Sequence, residues 1–113
     1  FDCRALPNPG RFDEYRSFTG KDKSVIDFLN SKKEVSTFID RTTQLVFSSV
    51  QEYISRGFEH LMVSFGCTGG QHRSVYCAEK LAKSLKENYD VNIILKHKEI
   101  PDTGYDKDHV QKG

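Results

Sequence analysis

With 113 residues the chain has room for one domain and one core. Its 17 Lys and Arg against 16 Asp and Glu leave a formal net charge of +1, so no bulk charge marks a nucleic-acid or membrane partner. No apolar run reaches the length of a membrane span and no signal-peptide pattern is present, which excludes a membrane partner at this level of reading. Three cysteines without a repeated spacing speak against a disulfide framework and for a reducing, cytoplasmic location. Cys3, Cys67, Cys77 and the four histidines lack the short paired spacings of structural zinc, so no metal and no cofactor is expected. The start at Phe1 rather than Met suggests a piece of a longer protein.

Taken in order, residues 1–6 read as a short strand that ends at the turn signal Pro7-Asn8-Pro9-Gly10. Residues 11–20 read as an ordered loop rich in Arg and aromatic side chains, and residues 21–30 as a short helix with Val25, Ile26, Phe28 and Leu29 on its apolar side. The clearest periodicity follows. Val35, Phe38, Ile39, Thr42, Leu45, Val46, Val50, Tyr53 and Ile54 recur every three or four residues, Ser36 offers a cap, and Gly57 is placed to stop the helix. Residues 61–65 read as a central strand, residues 75–88 as a second amphipathic helix through Val75, Ala78, Leu81, Ala82 and Leu85, and residues 91–95 as a last strand. This order predicts a small α/β layered domain over residues 1–100, with a mostly parallel sheet of three to four strands and a strand–phosphate loop–helix unit. Residues 101–113 are polar and are expected to form a disordered tail.

The stretch Gly66-Cys67-Thr68-Gly69-Gly70-Gln71-His72-Arg73-Ser74 lies between the second strand signal and the second long helix. Backbone N–H groups at a helix start have no helical partner, and the dipole there favours an anion. Glycines let the chain curl close to a ligand, and an arginine can hold two phosphate oxygens. A nucleotide P-loop is rejected, because Gln71 and His72 stand where that motif needs Gly and Lys. A cysteine phosphatase stays open as the enzymatic alternative. Cys67 and Arg73 have five residues between them and Ser74 follows, which supplies a thiolate, an anion holder and a hydroxyl. Its general acid would have to come from Asp2, Asp102 or Asp106 by folding. The third reading is a non-catalytic phosphate or phosphosugar pocket, and the plainest is a glycine-rich turn with His72 and Arg73 in solvent.

These residues carry a resemblance. The run from Gly66 to Val75 resembles the signature of the RapZ/YvcJ C-terminal domain, the RNase adapter proteins of bacteria. Asp2-Cys3-Arg4 with Leu6 and Asn8-Pro9 is similar to that family's opening block, Thr19-Gly20 with Asp22 to its T-G-x-D block, and His97-Lys98-Glu99 to its closing H-R-D element. Ala78, Glu79 and Leu81 fit the helix after the loop, so the resemblance covers residues 1 to about 100. It implies a regulatory domain that follows a P-loop NTPase domain, binds structured small RNA, and holds an amino-sugar phosphate around this loop. Related domains also occur with phosphotransferase-like partners, so the rest of the protein is left open. Gly10 departs from the His or aromatic residue usual in the family, and Lys98 and Glu99 replace Arg and Asp.

The expected ligand-binding set is therefore Asp2, Arg4, Gly66, Cys67, Thr68, Gly69, Gly70, Gln71, His72, Arg73, Ser74 and His97. Arg73 is cast as the main anion ligand and His72 as a source of specificity; Asp2 and Arg4 could equally be a structural pair. Lys80, Lys83, Lys86, Lys96 and Lys98, with Arg11, Arg16, Lys21 and Lys23, are candidates for contacts to RNA phosphates, and Tyr15, Phe18 and Tyr76 for base stacking. A solvated helix face is the competing account of the lysines. Self-association is a further possibility.

Overall fold

The computed structural model describes residues 1–100; the expected tail at 101–113 lies outside the described residues. Helices take up 55 % of these residues. A 3-10 turn, Pro9–Arg11, is capped by Asn8, whose side-chain oxygen accepts the Gly10 N–H at 2.9 Å. One turn of helix, α1 (Asp13–Arg16), follows, then α2 (Lys23–Asn30), α3 (Lys33–Arg56) and α4 (Arg73–Asn88).

The periodic segments fold as their spacing predicts. α3 buries Val35, Thr42, Val46 and Val50 along one stripe and stops at Gly57, whose φ of 75° only glycine adopts without strain. Ser36 does not cap it. The helix begins three residues earlier, Lys32 takes the cap position, and the Ser36 hydroxyl donates to the Lys33 carbonyl at 3.0 Å. Thr42, buried in mid-helix, satisfies its hydroxyl on the Phe38 carbonyl at 2.9 Å.

The parallel sheet is not there. No strand or sheet forms among the described residues, so the domain is mostly helical and the α/β layered architecture is corrected. What remains of it is one parallel bridge between Asp2 and Gly66, in which Gly66 donates to the Phe1 carbonyl at 2.8 Å and accepts the Cys3 N–H at 2.7 Å. The other two apolar runs divide their side chains between the helices and solvent, with Met62 and Ile94 exposed. Val63 and Phe65 pack against Val46 and Val50 of α3 and Leu81 of α4, and Leu95 is buried. Residues 61–65 and 91–95 both border a cleft of about 450 Å³ between α3 and α4 rather than pairing with each other. A run of five apolar residues satisfies either arrangement, because burial alone does not fix a hydrogen-bond register.

Two clusters make the core. Cys3, Leu6, Val25, Leu29, Val35, Tyr76 and Cys77 close the half that carries the glycine-rich loop. Val46, Val50 and Leu81 close the other half, and Phe65 packs on both.

Candidate functional site

The loop at 66–72 enters α4 through two glycines with positive φ, Gly69 at 80° and Gly70 at 63°. Gly66 differs from them in lacking a positive φ, and like Gly69 it has no atom within 4 Å of where a Cβ would stand. A Cβ on Gly70 would meet Glu99 Cγ at 2.8 Å, so the turn after Leu95 lies against the loop. Thr68 and Gly69 form the exposed rim.

No side chain at the His72 cap position closes the start of α4; the sulfur of Cys67 does so from across the loop. It accepts the Ser74 N–H at 3.4 Å and is hydrogen-bonded to the Ser74 hydroxyl at 3.3 Å. Burial on its own would raise this thiol. The Ser74 hydroxyl and N–H, the Gly70 N–H and the nearby Arg73 guanidinium outweigh it and hold Cys67 below the usual thiol range. The loop is thus built to stabilise negative charge.

Arg73 is 4 % exposed. Its Nη1 donates to the carbonyls of Arg4 at 2.8 Å and Leu6 at 3.0 Å, which clamps the N-terminal arm against the loop. Nε is buried and makes no hydrogen bond in the protein. Among the described residues no carboxylate forms an ion pair with this guanidinium. It is a buried cation that faces neutral carbonyls and a polarised sulfur, with no anionic partner among the described residues.

The neighbouring residues divide into those that hold the loop and those that border it. Gln71 donates both ways from its amide, to the carbonyls of Arg16 at 2.8 Å and Phe18 at 2.7 Å, so it is a staple. His72 is 7 % exposed and donates through Nε2 to the Tyr15 carbonyl at 3.0 Å. That bond assigns the proton to Nε2 in the neutral ring and leaves Nδ1 as an acceptor on the side of Gly10, where a Cβ would stand 3.5 Å away. Gly10 therefore borders His72. Asp2 and Arg4 form an exposed bidentate pair, Arg4 Nη2 to Asp2 Oδ2 at 2.9 Å and Arg4 Nε to Oδ1 at 3.1 Å. Those bonds pull Asp2 down to about 2. The side chain of His97 is buried at the flank and bonds Glu79 of α4 at 2.7 Å.

Of the lysines singled out for RNA, Lys83, Lys86, Lys96 and Lys98 are exposed, whereas Lys80 is half-buried with its ammonium 5.5 Å above the Tyr76 ring. Tyr76 is buried and bonds Asn30, so it packs rather than offering a stacking face. Tyr15 is half-buried against Phe28, and Phe18 is exposed. No group of three or more His, Cys, Asp or Glu among the described residues is placed to hold a metal ion. No helix among them is long and apolar enough to cross a membrane.

Gly20 is the residue that sequence reasoning underrated. A Cβ there would stand 2.3 Å from the His72 carbonyl oxygen and 2.5 Å from the Tyr76 nitrogen, because the 16–20 loop lies directly on the first turn of α4. Gly20 N–H donates to the Gln71 carbonyl at 3.0 Å, and Asp22 shapes the turn by accepting the Thr19 N–H at 2.7 Å. Its only signal in the sequence is the Thr19-Gly20-Lys21-Asp22 block.

Comparison with known proteins finds relatives that match most of this chain. A family model describing the RapZ C-terminal domain matches residues 1–101. A nucleotide-binding protein of Acidobacterium capsulatum is 42 % identical over 102 residues, covering 89 % of this chain and 33 % of that protein. Proteins of the same description from Lactobacillus helveticus and Staphylococcus epidermidis are 44 % and 40 % identical over 99 residues, each covering 88 % of this chain and 33 % of theirs. The chain thus spans about a third of the length of the curated relatives it matches. On the extent of these matches, it belongs to the RapZ C-terminal domain family.

Proposed function

We propose that this domain is a non-catalytic receptor for a phosphorylated small ligand, a phosphosugar of the glucosamine 6-phosphate kind, bound at Gly66–Ser74. The observation that carries this reading is Arg73: a buried guanidinium without a carboxylate partner among the described residues, its Nε unbonded, beneath a loop that already lowers a thiol. Gly69, Gly70 and Thr68 give a phosphate access to backbone N–H groups at the start of α4. His72 Nδ1 supplies an acceptor for a sugar hydroxyl. Relatives three times as long are described as nucleotide-binding proteins, and that activity is proposed for a whole protein of this family rather than for this loop.

The cysteine phosphatase alternative draws less support. Of its candidate general acids, Asp102 and Asp106 lie outside the described residues. Asp2, with its carboxyl held at about 2, has no proton to give near neutral pH.

An amide NMR titration with glucosamine 6-phosphate, with phosphorus spectra from the same tube, tests the reading. Saturable shifts centred on residues 66–74 with the ester intact are expected. Release of free phosphate that Cys67→Ser abolishes would establish the phosphatase instead. Absence of shifts at millimolar ligand would overturn the small-ligand reading. A second reading, RNA-backbone binding, rests on the exposure of Lys83, Lys86, Lys96 and Lys98. A steep loss of RNA affinity with salt supports it, and a flat dependence removes it.

A further inference from the structure

Each of the three cysteines carries a free thiol. Cys3 and Cys77 are both fully buried, and their sulfurs lie 3.8 Å apart although 74 positions separate them in sequence. Small buried cysteines commonly serve as packing. Packing alone does not require the two sulfurs to face each other, as these do in hydrogen-bond contact. We propose that Cys3 and Cys77 are a modification site, a dithiol that hydrogen peroxide converts reversibly into a disulfide joining the N-terminal arm to α4.

The geometry asks for little movement. A disulfide bond is about 2.05 Å long, so the sulfurs must close by roughly 1.8 Å. Cys77 is fixed in α4, whereas Cys3 lies outside any helix, on an arm held by a single β-bridge, the Arg73 clamp, the Phe1 contacts with Ser64 and Phe65, and burial of Cys3 and Leu6. The arm is the part that gives. The two thiols are also unequal. The hydrogen bond with Cys77 lowers Cys3 against the opposing effect of burial, and the Arg73 guanidinium adds to it. The same contact, together with burial, pushes Cys77 up. Cys3, on the arm that moves, is the sulfur a small oxidant meets first, and Cys77, held in α4, is the resolving one.

Two steps balance the reaction. Cys3 thiolate attacks one peroxide oxygen; an S–O bond forms, the O–O bond breaks, and the departing hydroxide takes a proton to become water. Cys77, giving up its proton, then attacks the Cys3 sulfur; the S–S bond forms, the S–O bond breaks, and a second water leaves. The dithiol loses two electrons, which peroxide accepts. Burial favours a small oxidant that enters when the arm opens over bulky disulfides that exchange with surface thiols. Cross-links of this kind in reducing compartments are typically transient and sensing.

The full chain is treated with hydrogen peroxide, blocked with N-ethylmaleimide, digested without reductant, and read by mass spectrometry beside a thermal melt. The expected product is an intramolecular Cys3–Cys77 peptide pair that dithiothreitol removes, with the melting temperature raised by roughly 5 °C or more while the bond is present. Cys67→Ser should leave that pair intact. Cys3 and Cys77 still fully alkylated after Cys67 has been oxidised would overturn the proposal. So would a cross-link that uses Cys67 or joins two chains.

Discussion

The two ends of this domain are held by different forces. At the loop end, side chains far apart in sequence meet through hydrogen bonds to backbone: Arg73 to Arg4 and Leu6, Gln71 to Arg16 and Phe18, His72 to Tyr15. At the far end, α3, α4 and the segments 58–65 and 90–95 border a cleft of about 450 Å³. Its walls are held chiefly by burial of Val46, Val50, Leu81 and Phe65, with Gln51 tying Tyr89 at 2.9 Å. Hydrogen bonds fix position to a fraction of an ångström, whereas apolar burial tolerates sliding. A loop that must hold a phosphate needs the first kind of support.

The contrast is broken most directly by truncating one leucine on each side. Leu29 is fully buried in the loop-end core, and Leu29→Ala should destabilise by about 4 kcal/mol because its neighbours have no slack to collapse. Leu81 lines the cleft, so Leu81→Ala removes contacts beside space that already exists and should lose only about 2 kcal/mol. Urea melts of the two variants decide this. Equal losses would mean the cleft end is as tightly packed as the other.

Gly20→Ala comes next, with a loss of roughly 3 kcal/mol, since the added methyl meets backbone on both sides rather than a side chain that can turn away. It should also shift the amides of residues 71–74 in NMR spectra. A stability change below about 0.5 kcal/mol would mean the 16–20 loop lifts off α4 freely. Gln71→Ala should follow at about 1–2 kcal/mol, leaving two carbonyls without their donor, and should weaken glucosamine 6-phosphate binding through loss of loop position. Unchanged affinity in that variant would detach the staple from the site.

The sequence made the helices legible and left the architecture unread. α3 and α4 follow from apolar residues three and four apart, and Gly57 marks a stop because its left-handed backbone is needed there. The runs 61–65 and 91–95 look the same whether they pair as strands or pack as single extended segments against helices. Only partners elsewhere in the chain decide, and here α3 and α4 take Val63 and Phe65 while Met62 and Ile94 stay in solvent. The site shows the same division. Cys67, Ser74 and the positive-φ glycines are neighbours in sequence, so their cluster is readable. Arg73 is expected as an anion ligand, and its Nη1 also holds carbonyls 67 and 69 positions away. No local pattern encodes that contact. Gly20 and Gln71 were opaque for the same reason.

The smallest effect concerns the exposed edge of the loop end. The hydrogen bonds from Arg4 hold Asp2 at about 2, below its ordinary value of 3.8. A carboxyl lowered in the folded state adds stability that is fully present above its unfolded value. That contribution is lost as pH falls from about 4 through the folded value near 2. Both side chains are in water, so the contribution is slight and fades with salt. The titration itself is still sharp. Carboxyl-carbon NMR should place Asp2 near 2 in the native chain and move it back toward 3.8 in Arg4→Gln. If Asp2 titrates near 3.8 in both, the pair does not persist in solution, and the arm beside Gly66 is positioned by Arg73 and the β-bridge alone.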